Sequence, residues 1–182
     1  MAPSRYVALL RGINVGGRNK VPMADLRAAM ESAGHTDVST YIQSGNVLFR
    51  SSTPRAELEE RIEEVLEHRF GFPIVVVVRS HAQLRSVVER APSKFGSQPT
   101  RYHSDALFLR APLTSKQVMA ITKLRDGVDQ AWPGTGVVYF QRLSAERTKS
   151  RLSSIMGTPE YANMTIRNWA TTTKLLALLD ER

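Results

Sequence analysis

Cysteine is absent from the 182-residue chain, and this absence excludes several kinds of chemistry. Disulfides, thiolate nucleophiles and cysteine-ligated zinc sites cannot form without it. Long apolar runs are also missing, because no window approaches the roughly 18 residues that a membrane helix needs. The 4 histidines are scattered and do not stand at metal-ligand spacing. We therefore expect a cytoplasmic protein with no membrane association, no metal and no cofactor.

Basic residues outnumber acidic ones, and the excess lies mainly in the second half of the chain. The formal net charge is +8 and the isoelectric point is about 10.2. Residues 1–91 have a net charge of +2 and residues 92–182 a net charge of +6. A solvated basic face and a nucleic-acid footprint both fit this pattern. We favour the solvated face.

The first half has the element order strand, helix, strand, strand, helix, strand. The predicted elements are a strand at Tyr6–Arg11, a helix with Pro22 as its first residue and Gly34 as its stop, strands at Asp37–Ile42 and Val47–Arg50, a helix capped by Thr53, and a strand at Ile74–Val78. This order is typical of a ferredoxin-like split βαβ unit.

The second half repeats this order and adds a helix. Its predicted elements are a strand at Ala106–Arg110, a helix at Thr114–Leu124, strands at Gly127–Trp132 and Gly136–Phe140, a helix at Ser144–Met156, a strand at Tyr161–Ile166 and a final helix at Asn168–Leu179. We therefore predict an α+β fold of two ferredoxin-like split βαβ units, a tandem duplication packed into one compact body. The units are residues 1–79 and 101–182, and a helix and loop at 80–100 link them.

Several predicted strands are apolar at every position rather than at alternate ones. Examples are Tyr6–Leu10, Ile74–Val78 and Ala106–Leu109. Such strands are buried on both faces. The pattern argues against an open RNA-reading sheet, which needs exposed aromatic residues.

Two motifs in the first half resemble those of the bacterial domain-of-unknown-function 1697 family. They are Leu10-Arg-Gly-Ile-Asn-Val-Gly-Gly-Arg-Asn-Lys-Val-Pro-Met23 and Tyr41-Ile-Gln-Ser-Gly-Asn-Val-Leu-Phe49. A third segment, Arg167-Asn-Trp169 followed by Lys174-Leu175, looks like the C-terminal signature of the same family. The resemblance implies a duplicated α+β fold, and it transfers no catalytic residues.

The same two motifs supply the candidate ligand site. In a split βαβ sheet the loop at Gly12–Lys20 and the turn at Gln43–Asn46 emerge at one edge, so we expect them to converge. Glycine N–H groups, cationic side chains and a helix N-terminus together suit a phosphate or carboxylate. The glycine spacing matches neither the phosphate loop nor the dinucleotide fingerprint, and simple turns are the competing interpretation. The candidates are Arg11, Gly12, Asn14, Gly16, Gly17, Arg18, Lys20, Gln43, Ser44, Gly45 and Asn46.

A second candidate is a basic patch in the second half that could contact nucleic-acid phosphates. Its members are Arg142, Arg147, Lys149, Arg151 and Arg167. Arg147 and Arg151 lie four residues apart and would share a face of the predicted helix, yet we favour a solvated face. Glutamates between Glu57 and Glu67 are predicted to form another solvent face. No catalytic triad or carboxylate pair can be assembled from the sequence.

The function predicted first is therefore an anion-binding module that uses residues 12–20 and 43–46. Its ligand would be a small molecule with a phosphate or carboxylate group, and a nucleic-acid phosphate is possible but not favoured. An enzyme acting on such a ligand, with Arg11 and Lys20 as electrostatic stabilisers, is the first alternative. A protein–protein adaptor is the second. The sequence does not predict an oligomeric state.

Overall fold

The computed structural model describes residues 3–182 and divides them into two compact units. One unit comprises the residues up to Leu84 together with Leu175–Arg182, and the other comprises Arg85–Lys174. Leu175–Arg182 belongs to the first unit because it forms hydrogen bonds and an ion pair with residues of that unit. The Arg5 guanidinium donates to the Leu179 carbonyl at 2.7 Å, and His81 Nε2 lies 2.5 Å from the Asp180 carboxylate.

The first half has the element order that the sequence predicts. The elements are β1 (Ser4–Leu10), α1 (Met23–Ser32), β2 (Thr36–Tyr41), β3 (Asn46–Ser51), α2 (Arg55–Phe70), β4 (Val76–Ser80) and α3 (His81–Glu89). Within residues 3–182, the first sheet has four antiparallel strands in the order β2-β3-β1-β4. No helix in this range is long and apolar enough to cross a membrane.

Both faces of the first sheet are buried. Tyr6, Ala8 and Leu10 of β1 belong to a core that also contains Leu26 of α1 and Ile62 of α2. Side chains alternate along a strand, so Val7 and Leu9 point the other way. These two side chains are fully buried as well. The unbroken apolar runs of the sequence are therefore explained by burial on both faces.

The second half also forms a four-stranded antiparallel sheet over the described residues, with the strand order β6-β7-β5-β8. Its elements are β5 (Tyr102–Leu109), α4 (Ser115–Ile121), β6 (Asp129–Gly134), β7 (Val137–Leu143), β8 (Met164–Asn168) and α5 (Trp169–Asp180). The chain is thus a mixed α+β protein with helices and two such sheets.

The helix predicted at Ser144–Met156 is wrong. This region forms short 3-10 helices at Ser144–Lys149, Leu152–Gly157 and Pro159–Asn163, so the strand predicted from Tyr161 begins only at Met164. Serine competes with the helical hydrogen-bond ladder, since Ser150 Oγ accepts from the Leu152 N–H and Ser154 Oγ donates to the Arg151 carbonyl. The Asp129 carboxylate also accepts from the Arg151 N–H at 2.9 Å.

Two helix starts also differ from the prediction. Thr53 does not cap α2, because Pro54 is the N-cap residue. Among the described residues, no side chain forms a capping hydrogen bond at this helix start. Pro22 is the N-cap of α1 rather than its first residue. In both helices the proline sets an extended approach to the first turn.

The expectation that the glutamates of α2 form a solvent face is wrong for Glu59, which is only 8% exposed. Its carboxylate accepts from the Val78 N–H at 2.9 Å, and the Glu63 carboxylate accepts from the Val76 N–H at 2.9 Å. Both N–H groups belong to edge strand β4, so the two glutamates satisfy donors that an edge strand would leave open. Burial lowers the pKa of nearby Arg79 to about 10, although Glu59 opposes that shift.

His35 generates a prediction for stability against pH. Its ring is buried, and its centroid lies 4.9 Å from that of the Phe49 ring. Among the described residues, Nδ1 of His35 has no hydrogen-bond partner. Burial lowers the pKa of His35 below its ordinary value of 6.5. The unfolded chain therefore binds a proton more readily, and stability falls as the pH decreases below about 6.5. We expect His35→Leu to lose less melting temperature than the wild type between about pH 7.5 and pH 5.

The matched control is His68→Leu, which removes an exposed imidazole of α2. It should retain the wild-type dependence of melting temperature on pH. Equal losses in all three proteins would contradict a destabilising role for protonated His35.

Candidate functional site

The glycine-rich loop and the Gln43–Asn46 turn converge at one edge of the first sheet, as the sequence predicts. The Leu10 N–H, at the end of β1, donates to the Gly45 carbonyl at 2.8 Å. Asn14 Nδ2 donates to the Gln43 carbonyl at 2.9 Å. These contacts join segments that lie about thirty residues apart in the sequence.

Asn14 organises the loop. Its Nδ2 also donates to the Val21 carbonyl at 3.0 Å, while its Oδ1 accepts from the Val21 N–H at 2.8 Å. Its backbone N–H donates to the Asn19 carbonyl at 3.0 Å. The loop therefore folds back on itself and delivers the chain to the start of α1 in one fixed position.

The turn packs tightly against the end of β1 through Gly45. This residue has a φ of +84°, and a Cβ built on it would lie 2.8 Å from both Leu10 Cβ and Ile13 Cδ1. Ile42, just before the turn, has a φ of +51° and is 49% exposed. A β-branched residue seldom adopts that conformation, and such strain is concentrated at functional sites.

A cleft of about 420 Å³ opens beside the two loops. Its lining residues are Asn14, Gly17, Lys20, Val21, Pro22, Met23 and Gln43. The first turn of α1 stands at the cleft, and among the described residues no side chain caps it. The positive end of the helix dipole and the exposed Lys20 ammonium therefore occupy the same wall.

Only some of the predicted ligand residues line the cleft. Four of them line the cleft: Asn14, Gly17, Lys20 and Gln43. Asn46 is fully buried, and its Nδ2 donates to the Tyr41 carbonyl and to Ser44 Oγ, so it shapes the turn. The others lie outside the lining: Arg11, Gly12, Gly16, Arg18, Ser44 and Gly45. The sequence interpretation did not include Val21, Pro22 and Met23, although Pro22 marks the helix start.

The residues of the predicted basic patch do not face solvent together. Arg142 lies 3.4 Å from the buried Asp105 carboxylate. Arg167 is buried, and its guanidinium donates to Thr165 Oγ1 at 2.7 Å. Burial lowers the pKa of Arg167 to about 10. The remaining members are exposed: Arg147 and Lys149 lie on the first 3-10 helix, and Arg151 is the N-cap of the second.

Within residues 3–182, ionisable side chains do not gather into a metal site. Among the described residues, no group of three or more His, Asp or Glu side chains could hold a metal ion. Burial raises the pKa of Asp105, whereas His103 and Arg142 oppose that shift. Asp105 thus belongs to an ion-pair cluster within the second unit.

The role of Asn14 can be tested by its removal. Asn14→Ala deletes the three side-chain hydrogen bonds and places alanine at a φ of +53°. We expect a loss of about 2–3 kcal/mol in the free energy of unfolding, measured by urea denaturation. Gln43→Ala is the control, because Asn14 bonds the Gln43 backbone carbonyl, which alanine retains. A loss no larger than that of the control would contradict this role.

Comparisons with known proteins agree with the resemblance carried by the motifs. The family described as "Protein of unknown function (DUF1697)" matches residues 4–139. The structure of the conserved bacterial protein SP0830 from Streptococcus pneumoniae superposes with a TM-score of 0.84 at 30% sequence identity, covering 98% of this chain and 99% of that chain. No match was found among curated proteins. The chain therefore belongs to the DUF1697 family of bacterial proteins of unknown function.

Proposed function

We propose that this protein is an anion-binding module that holds the phosphate or carboxylate group of a small molecule in the cleft beside α1. The observation that carries the proposal is the meeting of Lys20 with the first turn of α1 on one wall of that cleft. Backbone N–H groups and a lysine are the partners that a phosphate or carboxylate uses at a helix N-terminus. We propose the cytoplasm as the place of action.

The charge around the cleft favours an anion. Among the described residues, no carboxylate lines it. Asp25, in the first turn of α1, lies 3.3 Å from the Arg69 guanidinium, which offsets its charge. Arg18 is exposed in the same loop and adds positive potential. A cleft of about 420 Å³ has the size of a small-molecule site, which favours a small ligand over a nucleic acid.

We also propose that each unit is a ferredoxin-like split βαβ unit and that the two arose by duplication. Equivalent backbone bonds support this. Leu10 N–H donates to the Gly45 carbonyl, as Leu109 N–H does to the Gly136 carbonyl. Likewise Arg11 N–H donates to the Val75 carbonyl, as Arg110 N–H does to the Asn163 carbonyl.

Strand register extends the same correspondence. Leu10 pairs with Val76 across β1 and β4, and Leu109 pairs with Met164 across β5 and β8. Arg79 and Arg167 follow at the same offset, and each donates to the carbonyl of the residue before it at 2.9 Å.

This internal duplication isolates what is special to the first unit. The connection from β1 to α1 takes 12 residues, 11–22, whereas the connection from β5 to α4 takes 5 residues, 110–114. In the shorter connection Thr114 and Gln117 form a capping box at the start of α4. The fold thus makes this link without a long loop, and long loops that a fold does not need commonly carry function.

The test is binding of inorganic phosphate and acetate by the wild type and by Lys20→Ala. Loss of the ammonium should weaken binding about five- to tenfold, because one charge-assisted contact disappears. Calorimetric titration at low salt measures this, and the melting temperature should hardly change because Lys20 is exposed.

Lys116→Ala is the matched control, since Lys116 is exposed in the first turn of the capped helix α4. It should bind both anions like the wild type. If Lys20→Ala binds as tightly as Lys116→Ala, the proposed site is ruled out. Binding of oligonucleotides alone, abolished by salt, would instead support the nucleic-acid alternative.

A further inference from the structure

A second cleft, of about 500 Å³, lies within the second unit. It forms because β5 is longer than its neighbour. Over the described residues β5 pairs with β7 from Tyr102 onward, whereas its pairing with β8 begins at Asp105, opposite Asn168. After Asn168 the chain turns into α5 and leaves the edge of β5 at Tyr102–Ser104 open on that side.

Aromatic side chains hold the wall that α5 contributes. Trp169 is half-buried and packs edge to face against Phe95, with 4.9 Å between the ring centroids. Gly96 has a φ of +70°, and a Cβ built on it would lie 2.0 Å from Trp169 Cδ1. The backbone at Gly96 therefore packs directly against the indole and fixes the orientation of the ring. Tyr102 lines the same cleft.

Polar side chains of Ser104, Asn168 and Thr173 line this cleft beside the aromatic ones. Trp169 lines the cleft, and its indole supplies an N–H donor. His103 lines the cleft, and its Nε2 lies 3.3 Å from the buried Asp105 carboxylate, which orients the imidazole. Donors on an aromatic wall are typical of sites for planar ligands.

Basic residues predominate in the two segments that supply most of the cleft. The sequence from Arg90 to Ser104 contains no Asp or Glu, and neither does the sequence from Tyr161 to Leu179. The exposed Arg101 places its guanidinium 5.1 Å from the centre of the Tyr102 ring. Exposed Lys174 follows the lining residue Thr173.

We infer that this cleft is a second binding site, independent of the one beside α1, for a small planar aromatic or heteroaromatic carboxylate. The ring lies against Trp169 and Tyr102, which line the cleft. Arg101 stands outside the lining, beside the Tyr102 ring, and adds the positive potential that favours the carboxylate. The ligand occupies the space beside Tyr102–Ser104 of β5, where β8 no longer pairs with this strand. The volume exceeds that of the first cleft and lies within the usual range of small-molecule sites.

Intrinsic fluorescence tests this inference directly. Trp132→Phe leaves Trp169 as the sole tryptophan of the chain. In that background, benzoate is the planar anion, benzamide its neutral counterpart and cyclohexanecarboxylate its non-planar counterpart. We expect benzoate to change the Trp169 emission saturably with a Kd of about 1 mM, as suits so small a probe. The other two probes should bind at least about fivefold more weakly.

Ala170→Phe blocks the cleft, because Ala170 is exposed on the first turn of α5 and lines it. Benzoate binding should weaken at least about tenfold. The control is Ala120→Phe, at an exposed position of α4 outside the cleft, which should bind like the background protein. Arg101→Ala gives a second reading that places no bulk near the helix: it should weaken benzoate but leave benzamide unchanged.

The inference is overturned if none of the probes binds saturably at tens of millimolar, or if all three bind equally. It is also overturned if Ala170→Phe and Arg101→Ala both bind benzoate like Ala120→Phe. Because the lining residues of the two clefts are different, Lys20→Ala should leave the benzoate-induced change in Trp169 emission and its Kd unchanged. The two sites therefore succeed or fail separately.

Discussion

The side-chain amide of Asn14 joins the parts on which the first cleft depends. It bonds Val21, just before α1, on both its carbonyl and N–H, and it bonds the carbonyl of Gln43 in the turn. The asparagine amide carries both a donor and an acceptor, so one side chain satisfies the Gln43 carbonyl and the Val21 N–H, which lie far apart in sequence. Its tolerance of positive φ suits it to this loop.

The packing beneath the loops depends on the same arrangement. Gly45 lies so close to Leu10 and Ile13 that a larger residue would displace the turn from the end of β1. The buried sheet thus serves as a rigid base, and the loops above it present backbone groups and Lys20 at the start of α1. Binding sites are commonly built in this way, with the binding residues on loops that a rigid scaffold positions.

Much of the first unit could be predicted from the sequence, because its strands are uninterrupted apolar runs and its loops carry glycine. The convergence of Gly12–Lys20 and Gln43–Asn46 followed from element order alone. The 3-10 segments could not be predicted, since the carboxylate of Asp129 that bonds Arg151 lies 22 residues away. Tertiary contacts of this kind override local propensity.

Burial of charged side chains was equally hidden. Glu59 and Glu60 are adjacent in sequence, yet only Glu59 is buried, because its carboxylate accepts from the Val78 N–H at the edge of β4. Arg142 and Arg167 look like surface cations until strand pairing sets them inside the second unit. The cleft at Trp169 depends on the unequal lengths of β5 and β8, and strand ends are difficult to read from sequence.

Backbone-amide NMR during a titration with inorganic phosphate tests the central claim most directly. Binding at the cleft beside α1 should shift the amides of Gly17, Lys20 and Met23 saturably and with one common Kd, while those of the 3-10 segments at Arg147–Arg151 stay in place. Saturable shifts at Arg147–Arg151 instead, or no saturable shift in residues 12–25, would contradict the assignment of this cleft as the anion site.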